Sequence, residues 1–286
     1  MIKGIKYFLE AIIVYFFFLF GKILGITQGR RVFSTIFRTI GPFFKSTKTI
    51  DKNLERFTKE NFYKKDKEII KYNMWANYGM TFIEYMFLEQ FRKNNNHIKI
   101  EGEKILNKIS RENKPVIFVS GHFANFELMS MEITKKNVSL ATIYRPLNNF
   151  FINPLMEYLR KKYICENQIQ KGLSGVKESI KFIEKGTSIA LMIDQRVSEG
   201  SKIKFFGDEA FTTTLPAQLA LKYNLEIVPV FILRKSDNHF EMKVFDPIDS
   251  KKYKNKINLT LELNHVLENM IKINPDQWIW THNRWK

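Results

Sequence analysis

Beyond residue 96, short apolar runs alternate with patterns of helical period, and this alternation limits the possible folds more than any other feature of the sequence. The apolar runs predict strands at His97–Glu101, Pro115–Ser120, Ser139–Tyr144, Ser188–Asp194, Leu225–Leu233 and His239–Phe245. Helical patterns lie between or after them at Phe126–Lys135, Asn149–Lys162, Ser174–Lys185, Thr214–Tyr223 and Leu259–Ile273. Because strands separated by helices pair side by side, the pattern predicts an α/β domain with a largely parallel or mixed sheet flanked by helices.

The N-terminal segment is apolar and aromatic. From Tyr7 to Ile26 it reads YFLEAIIVYFFFLFGKILGI, and Ala11–Phe20 contains no polar side chain other than one tyrosine. A helix that spans a bilayer needs about 20 mostly apolar residues, so this segment is long enough either to span or to lie deep in the membrane interface. A buried core helix is the alternative. We expect a hydrophobic membrane helix that precedes the α/β domain.

The remainder of the chain shows no internal repeat and no low-complexity linker. We therefore expect residues 1–26 to be the membrane anchor and residues 27–286 to form one domain. Within that domain, residues 27–93 are an aromatic-rich helical part close to the membrane, and residues 94–286 are the α/β core.

Basic residues outnumber acidic ones by 46 to 29, which gives a formal net charge of +17. Up to Lys48, eight basic residues stand against the single acid Glu10. This excess favours an anionic membrane surface as a partner, and basic flanks of an apolar segment tend to remain cytoplasmic. The pattern predicts the inner membrane, with the domain on its cytoplasmic side. The single cysteine, Cys165, excludes an internal disulfide framework and fits a reducing compartment.

The heptapeptide GHFANFE (residues 121–127) follows a predicted buried strand. Ligands of open α/β sheets collect where strands end, so His122 lies in a favourable place for chemistry. If Glu127 begins the next helix, its carboxylate reaches one imidazole nitrogen and leaves the other free as a general base. The structural alternative is a histidine that caps the strand and a glutamate favoured at a helix N-terminus.

Several familiar catalytic patterns are missing from the sequence. It contains no G-x-S-x-G elbow, no phosphate-binding P-loop, no G-x-G-x-x-G, no H-E-x-x-H and no Cys/His set with zinc spacing. The sequence therefore lacks the residues that are usual in hydrolases, kinases, dehydrogenases and zinc enzymes. We expect neither a metal nor a cofactor.

The GHFANFE heptapeptide resembles the H-x4-D/E motif of the glycerolipid acyltransferase superfamily. In its G-H-x-x-N-x-E form it resembles the late acyltransferases of lipid A biosynthesis, the lauroyl and myristoyl transferases. The resemblance covers nearly the whole chain, including the N-terminal apolar segment. Its further blocks are YRPLNN (144–149), KG (171–172), DQR (194–196), FFG (205–207), TT (212–213), VPV (228–230) and WIWTHNRWK (278–286).

The resemblance implies a fold like that of the glycerolipid acyltransferases and an O-acyltransferase activity. A fatty acyl chain would pass from acyl-carrier protein to a hydroxyl group of a phosphorylated lipid A precursor, without a cofactor. His122 would deprotonate that hydroxyl, and Glu127 would orient the imidazole and stabilise its positive charge. Direct attack on the thioester then requires no covalent acyl-enzyme.

Six further residues are candidates for substrate binding. Arg145 ends a predicted strand, and its guanidinium suits a phosphate, although a surface salt bridge is the alternative. Lys171 precedes a predicted helix, where anions bind well, although a solvated lysine explains it equally. The family resemblance adds Asn125, Asp194, Gln195 and Arg196.

Two groups of alternatives remain open at this point. The first keeps the chemistry but changes the substrate: a lysophospholipid or another glycolipid as acceptor, or acyl-coenzyme A as donor. The second is a non-catalytic basic module that binds membranes or nucleic acid. The sequence contains no recognisable nucleic-acid-binding motif, and beyond Lys48 its positive charge is dispersed among acidic residues, so we expect no nucleic-acid partner.

Overall fold

The computed structural model describes residues 2–61 and 66–286, and its strands follow the apolar runs of the sequence. The strands are β1 Ile98–Glu101, β2 Ile117–Ser120, β3 Leu140–Tyr144, β4 Asn167–Gln170, β5 Ser188–Met192, β6 Ser201–Phe205, β7 Asp208–Thr212, β8 Glu226–Arg234, β9 Phe240–Val244 and β10 Ile248–Asp249. All the predicted strands are present. The prediction lacks β4, β6, β7 and β10, because strands as polar as NQIQ or as short as two residues give no apolar pattern.

The main sheet is mixed, and its central strands are parallel. Its order is β1-β9-β8-β2-β5-β3-β4, with β10 paired to β8. The pairs β8–β2, β2–β5, β5–β3 and β3–β4 are parallel, β9 is antiparallel to β8, and β6 and β7 form a separate hairpin. This arrangement confirms the predicted fold class. The parallel strands end at one side of the sheet, which we call the carboxyl edge.

Helices cover both faces of the sheet. They are α1 Ile2–Phe44, α2 Thr47–Asn61, α3 Lys67–Glu84, α4 Leu88–Lys93, α5 Glu103–Glu112, α6 Glu127–Lys135, α7 Asn153–Leu159, α8 Leu173–Glu184, α9 Leu215–Tyr223 and α10 Lys256–Ile273. Alternate residues of β2 belong to different cores: Ile117 and Val119 pack with α9 and α10, and Phe118 packs with α6 on the opposite face. This two-sided burial explains why β2 reads as a continuous apolar run.

Helix α1 is longer than the predicted anchor and is kinked. Gly25 lies at the kink with φ 73°, in the left-handed region that favours glycine, one residue before the predicted end of the anchor. The helix packs closely on α3, where a Cβ atom on Gly79 would lie 2.0 Å from the main-chain oxygen of Phe33. In the described part of the chain, α1 is the helix long and apolar enough to cross a membrane, which suggests membrane anchoring.

A buried carboxylate connects the helical part to the sheet. Glu84, at the end of α3, is fully buried and binds Arg234 of β8 through both carboxylate oxygens. It also accepts hydrogen bonds from Arg30 Nε at 2.6 Å and from Asn125 Nδ2 at 2.9 Å. Burial by itself would raise the pKa of Glu84, but the two guanidinium groups hold it below its usual value. The charged carboxylate therefore joins α1, α3 and β8 to the residues before α6.

Replacing Glu84 with glutamine tests this cluster. The amide keeps the shape but removes the charge, and it leaves two buried guanidinium groups without their counter-ion. Because breaking a buried ion pair typically costs about 3–5 kcal/mol, we expect Glu84→Gln to lower the free energy of unfolding by that order. Urea unfolding of the detergent-solubilised protein measures the effect. The control is Glu89→Gln, because Glu89 is half-exposed and pairs with Lys93 one turn away. Equal effects of the two substitutions would contradict the role of Glu84.

Candidate active site

His122 lies at the carboxyl edge, just beyond the central strand β2. Its main-chain N–H donates to Asp194 Oδ2 at 2.7 Å, and its Nδ1 lies 2.7 Å from Asp194 Oδ1. Gly121 allows this close approach, because a Cβ atom there would lie 3.2 Å from Asp194 Oδ2 and 2.9 Å from Leu267 Cδ1. The strand end and the carboxylate thus fix both the main chain and the ring of His122.

Asp194 follows β5, the parallel neighbour of β2, and is buried. Its Oδ2 also accepts a hydrogen bond of 2.9 Å from the indole Nε1 of Trp278. Burial by itself would raise the pKa of Asp194, but the positive charge available on His122 and the hydrogen bonds from His122 and Trp278 hold it below its usual value. The carboxylate is therefore ionised, and it keeps the imidazole proton on Nδ1.

The other imidazole nitrogen, Nε2, has no hydrogen-bond partner in the described part of the chain. The His122 side chain is 19% exposed, and no side chain within residues 2–61 and 66–286 binds its Nε2. With Nδ1 protonated and hydrogen-bonded to a carboxylate, Nε2 has a free lone pair that can accept a proton. The pair is therefore arranged as a general base.

Glu127 does not hold the imidazole, so this expectation from the sequence is wrong. Glu127 begins α6 as predicted, but its Oε1 accepts hydrogen bonds from the hydroxyl of Tyr85 and from Arg160 Nε and Nη2, the latter two at 2.8 and 2.6 Å. The reason is topological. The parallel pairing of β2 with β5 places Asp194 beside His122, whereas α6 directs Glu127 towards Arg160.

Asn125 is a structural residue of the motif. It is almost fully buried, and its side-chain amide donates to Glu84. The expected substrate contact of Asn125 stays a prediction. The asparagine connects the loop that carries His122 to the buried carboxylate of α3.

Arg145 and Lys171 both reach the carboxyl edge. Arg145 follows β3 and Lys171 follows β4, and both are exposed. The guanidinium of Arg145 has one weak hydrogen bond, 3.4 Å to Asn148 Oδ1, and neither cation pairs with a carboxylate of the described residues. The structure thus places both cations on the side of the sheet where His122 lies.

Arg196 binds the C-terminal tail, residues 278–286, and is less free than the sequence suggested. Its main-chain N–H donates to His282 Nε2 at 3.1 Å, and its Nε donates to the main-chain oxygen of Lys286 at 2.9 Å. The neighbouring Gln195 is partly buried and makes no side-chain hydrogen bond to any described residue. A substrate role is therefore not apparent for Arg196, and Gln195 lies beside the site without a defined contact.

The sequence did not predict which residues of the C-terminal tail lie around His122. Trp278 binds Asp194 directly, and His282 lies close enough for the charges of Asp194 and His122 to act on it. Burial lowers the pKa of His282, and its Nε2 accepts the Arg196 N–H, so the neutral ring carries its proton on Nδ1. The only signal in the sequence was the aromatic and basic block 278–286.

The fold and the His122–Asp194 pair define an α/β protein with a candidate general-base site at the carboxyl edge of its sheet. Such a pair can remove a proton from a substrate hydroxyl group. Among residues 2–61 and 66–286, no group of three or more His, Cys, Asp or Glu side chains is arranged to hold a metal ion.

Residues 3–286 match the family model of the bacterial lipid A biosynthesis acyltransferases. The chain therefore belongs to the bacterial lipid A biosynthesis acyltransferase family, which confirms the family resemblance and identifies an acyltransferase.

Three curated relatives are similar over most of the chain. The lipid A biosynthesis palmitoleoyltransferase of Escherichia coli (strain K12) is 25% identical over 256 residues, which cover 86% of this chain and 80% of that protein. The lipid A biosynthesis acyltransferase 2 of Shigella flexneri is 24% identical over 227 residues, 75% of this chain and 70% of that protein. The lipid A biosynthesis lauroyltransferase of Escherichia coli (strain K12) is 24% identical over 192 residues, 66% of this chain and 61% of that protein.

One solved structure is similar over almost the full length. The 1-acyl-sn-glycerophosphate (LPA) acyltransferase PlsC from Thermotoga maritima aligns with 96% of this chain and 99% of its own, with a TM-score of 0.42 and 14% sequence identity.

Substitution of the two candidate carboxylates distinguishes their roles. In Asp194→Asn the amide no longer fixes the proton on Nδ1, and loss of the corresponding carboxylate in a histidine-based triad lowers the rate by roughly 10⁴-fold. We expect a loss of that order in acyltransferase kcat/KM. Glu127→Gln should lower the activity per folded molecule much less. It leaves the buried Arg160 guanidinium without its counter-ion and therefore lowers thermal stability. A Glu127→Gln enzyme with native stability and the larger loss of activity would restore Glu127 as the partner of His122.

Proposed function

We propose that this protein transfers a fatty acyl chain from acyl-carrier protein to a hydroxyl group of a phosphorylated lipid A precursor. The observation that carries the proposal is the His122–Asp194 pair at the carboxyl edge, in which Nδ1 is bound by the carboxylate and the imidazole is 19% exposed. Membership of the lipid A acyltransferase family supports the acceptor. The net charge of +17 favours encounter with an acidic carrier protein and with a phosphorylated acceptor.

The reaction proceeds by direct attack on the thioester. His122 Nε2 takes the proton of the acceptor hydroxyl as its oxygen forms a bond to the thioester carbonyl carbon. The tetrahedral intermediate then breaks its carbon–sulfur bond, and the leaving thiolate recovers the proton from Nε2. Throughout, Asp194 keeps the Nδ1 proton and stabilises the imidazolium, as the carboxylate of a triad does. The products are an ester and the free thiol of the carrier.

In this proposal Glu127 fixes the position of the start of α6 and does not contact the imidazole. It pairs with Arg160, whose guanidinium also lies 5.8 Å from the ring centroid of Tyr144 at the end of β3. The ion pair therefore ties the start of α6, next to His122, to the strand end that precedes Arg145. Shifting this ion pair would move the base relative to the substrate.

Arg145 and Lys171 are proposed to bind phosphate groups of the acceptor. They follow β3 and β4, which are adjacent parallel strands, so both positive charges lie on one side of His122. Charge-assisted hydrogen bonds from a guanidinium favour phosphate oxygens, and lysine adds a point charge. We propose no substrate role for Asn125 or Arg196, because both side chains bind other parts of the chain.

We propose that the protein works at the cytoplasmic face of the inner membrane, with residues 1–26 as its anchor and residues 27–286 as the acyltransferase domain. Two observations support this proposal. Helix α1 carries a long apolar segment, and the chain has eight basic residues and one acid up to Lys48. An anionic membrane surface attracts such a segment.

The primary test measures transfer of a radiolabelled acyl chain from acyl-carrier protein to a phosphorylated lipid A precursor. The wild type should form product, and His122→Ala should form none, because the base is lost. Retained unfolding stability of His122→Ala shows that the fold is intact. Near-wild-type turnover by His122→Ala would disprove the mechanism. Product with a lysophospholipid, another glycolipid or acyl-coenzyme A in place of the proposed substrates would overturn the substrate assignment alone.

A second test addresses the phosphate contact. Arg145→Ala should raise KM for the phosphorylated acceptor and leave kcat almost unchanged, because the interaction is made equally in the ground and transition states. Losing a charge-assisted hydrogen bond costs about 1.5–3 kcal/mol, which corresponds to a rise of roughly 10–150-fold. Arg111→Ala is the matched control, because Arg111 is an exposed arginine at the end of α5, before the amino end of β2. An unchanged KM in Arg145→Ala would remove Arg145 from the site.

A further inference from the structure

The first half of α1 has two different faces. Its outer face exposes large apolar side chains to the surroundings. Six of these, which are 38–75% exposed, are Phe8, Ile12, Phe16, Leu19, Phe20 and Ile23. An exposed apolar stripe of this length is a feature of a surface that contacts another apolar phase.

The inner face of the same segment is fixed to the folded domain from one end to the other. Near the start, Asn149 Nδ2 donates to the main-chain oxygen of Tyr7 at 2.8 Å. In the middle, the ring of Phe18 stacks on Phe82 with a centroid distance of 4.8 Å. Near the kink, Lys22 Nζ donates to the main-chain oxygen of Met86 at 3.0 Å. The domain therefore covers one side of the helix along its whole apolar part.

This packing is incompatible with a helix that crosses the bilayer. A crossing helix passes through about 30 Å of hydrocarbon, so its neighbours over that length must also be in the hydrocarbon. Here the inner face contacts Asn149 of the α/β core near its start, Phe82 of α3 in its middle and Met86 near the kink. These residues belong to one folded domain that carries charged side chains on its surface. A helix with one apolar face exposed and one face on a soluble domain instead lies in the plane of the interface.

A second apolar element continues this face. The loop of residues 147–151 exposes Leu147, Phe150 and Phe151, which are 40%, 58% and 38% exposed. The rings of Phe150 and Phe151 pack edge-on against Tyr7 and Phe8, with centroid distances of 5.8 and 5.5 Å. The loop is thus in direct contact with the outer face of α1.

The 147–151 loop also connects this apolar face to the carboxyl edge. It begins two residues after Arg145, which follows β3. The site of His122 and the apolar loop therefore belong to the same side of the molecule.

We propose that the outer face of α1 and the 147–151 loop form one membrane-docking surface that enters a single leaflet, and that α1 does not cross the bilayer. Its occupant is lipid, because the loop is continuous with the apolar helix face and the surrounding N-terminal segment is basic. The carboxyl edge then meets the headgroups, and a lipid acceptor reaches His122 while its own chains stay in the leaflet. The docking surface does not depend on which acyl donor or acceptor the enzyme uses.

The first experiment measures membrane contact of the loop. The native thiol is nearly inert to labelling, because Cys165 is buried and burial raises its pKa. Phe150→Cys is labelled with the fluorophore NBD and bound to phosphatidylethanolamine–phosphatidylglycerol vesicles that contain brominated lipid. Ile257→Cys is the matched control, because Ile257 is 38% exposed in the first turn of α10, and this turn follows β10, which pairs with the start of β8 at the amino ends of the strands.

We expect a blue-shifted NBD emission and quenching by brominated lipid at position 150, and neither at position 257. Equal emission and equal quenching at the two positions would overturn the proposed surface. Wild-type protein treated with the same NBD reagent measures the residual labelling of Cys165.

The second experiment tests whether α1 crosses. A protease site is fused before Met1 of the full chain, and the protein is bound to sealed vesicles from the outside. The proposal expects external protease to cleave the tag in intact vesicles as completely as in detergent. Cleavage only after lysis would show that α1 spans and would overturn the proposal. Neither readout uses acyl transfer, so failure of the docking surface is distinguishable from failure of the proposed function.

Discussion

The buried carboxylate of Asp194 organises the candidate active site of this protein. A charge away from water is costly unless hydrogen bonds replace its hydration, and here the main chain and ring of His122 and the indole of Trp278 do so. These donors come from the end of β2 and from the C-terminal tail, whereas the carboxylate follows β5. The geometry of the candidate site therefore depends on three distant parts of the chain that meet around one ionised group.

Glu84 has a similar role on the helical side of the molecule. It is fully buried and pairs with Arg30 and Arg234. Separating α1 from β8 would therefore leave buried charged groups without their counter-ions. Through Asn125 the same carboxylate fixes the loop that carries His122. Within the H-x4-E motif, Asn125 and Glu127 thus hold the loop and the start of α6, and His122 binds Asp194.

The sequence predicted the fold class and the strand end that carries His122, but not the carboxylate that binds His122. Apolar runs as strong as that of β2 are local signals, and they correctly placed His122 and Arg145 after strands. The neighbours of β2 are β5 and β8, although β3 is next along the chain, and spacing carries no information about these crossovers. Glu127 was favoured because it is close in sequence, whereas Asp194, 72 residues away, is close in space.

The contact between Trp278 and Asp194 has a consequence for biosynthesis. Residue 278 leaves the ribosome after all the strands of the sheet have been made, and the hydrogen bond to Asp194 does not exist before then. A nascent chain that lacks residue 278 therefore lacks one of the hydrogen-bond donors of Asp194. The candidate site is complete only after the tail has been synthesised and has folded back onto the carboxyl edge of the sheet.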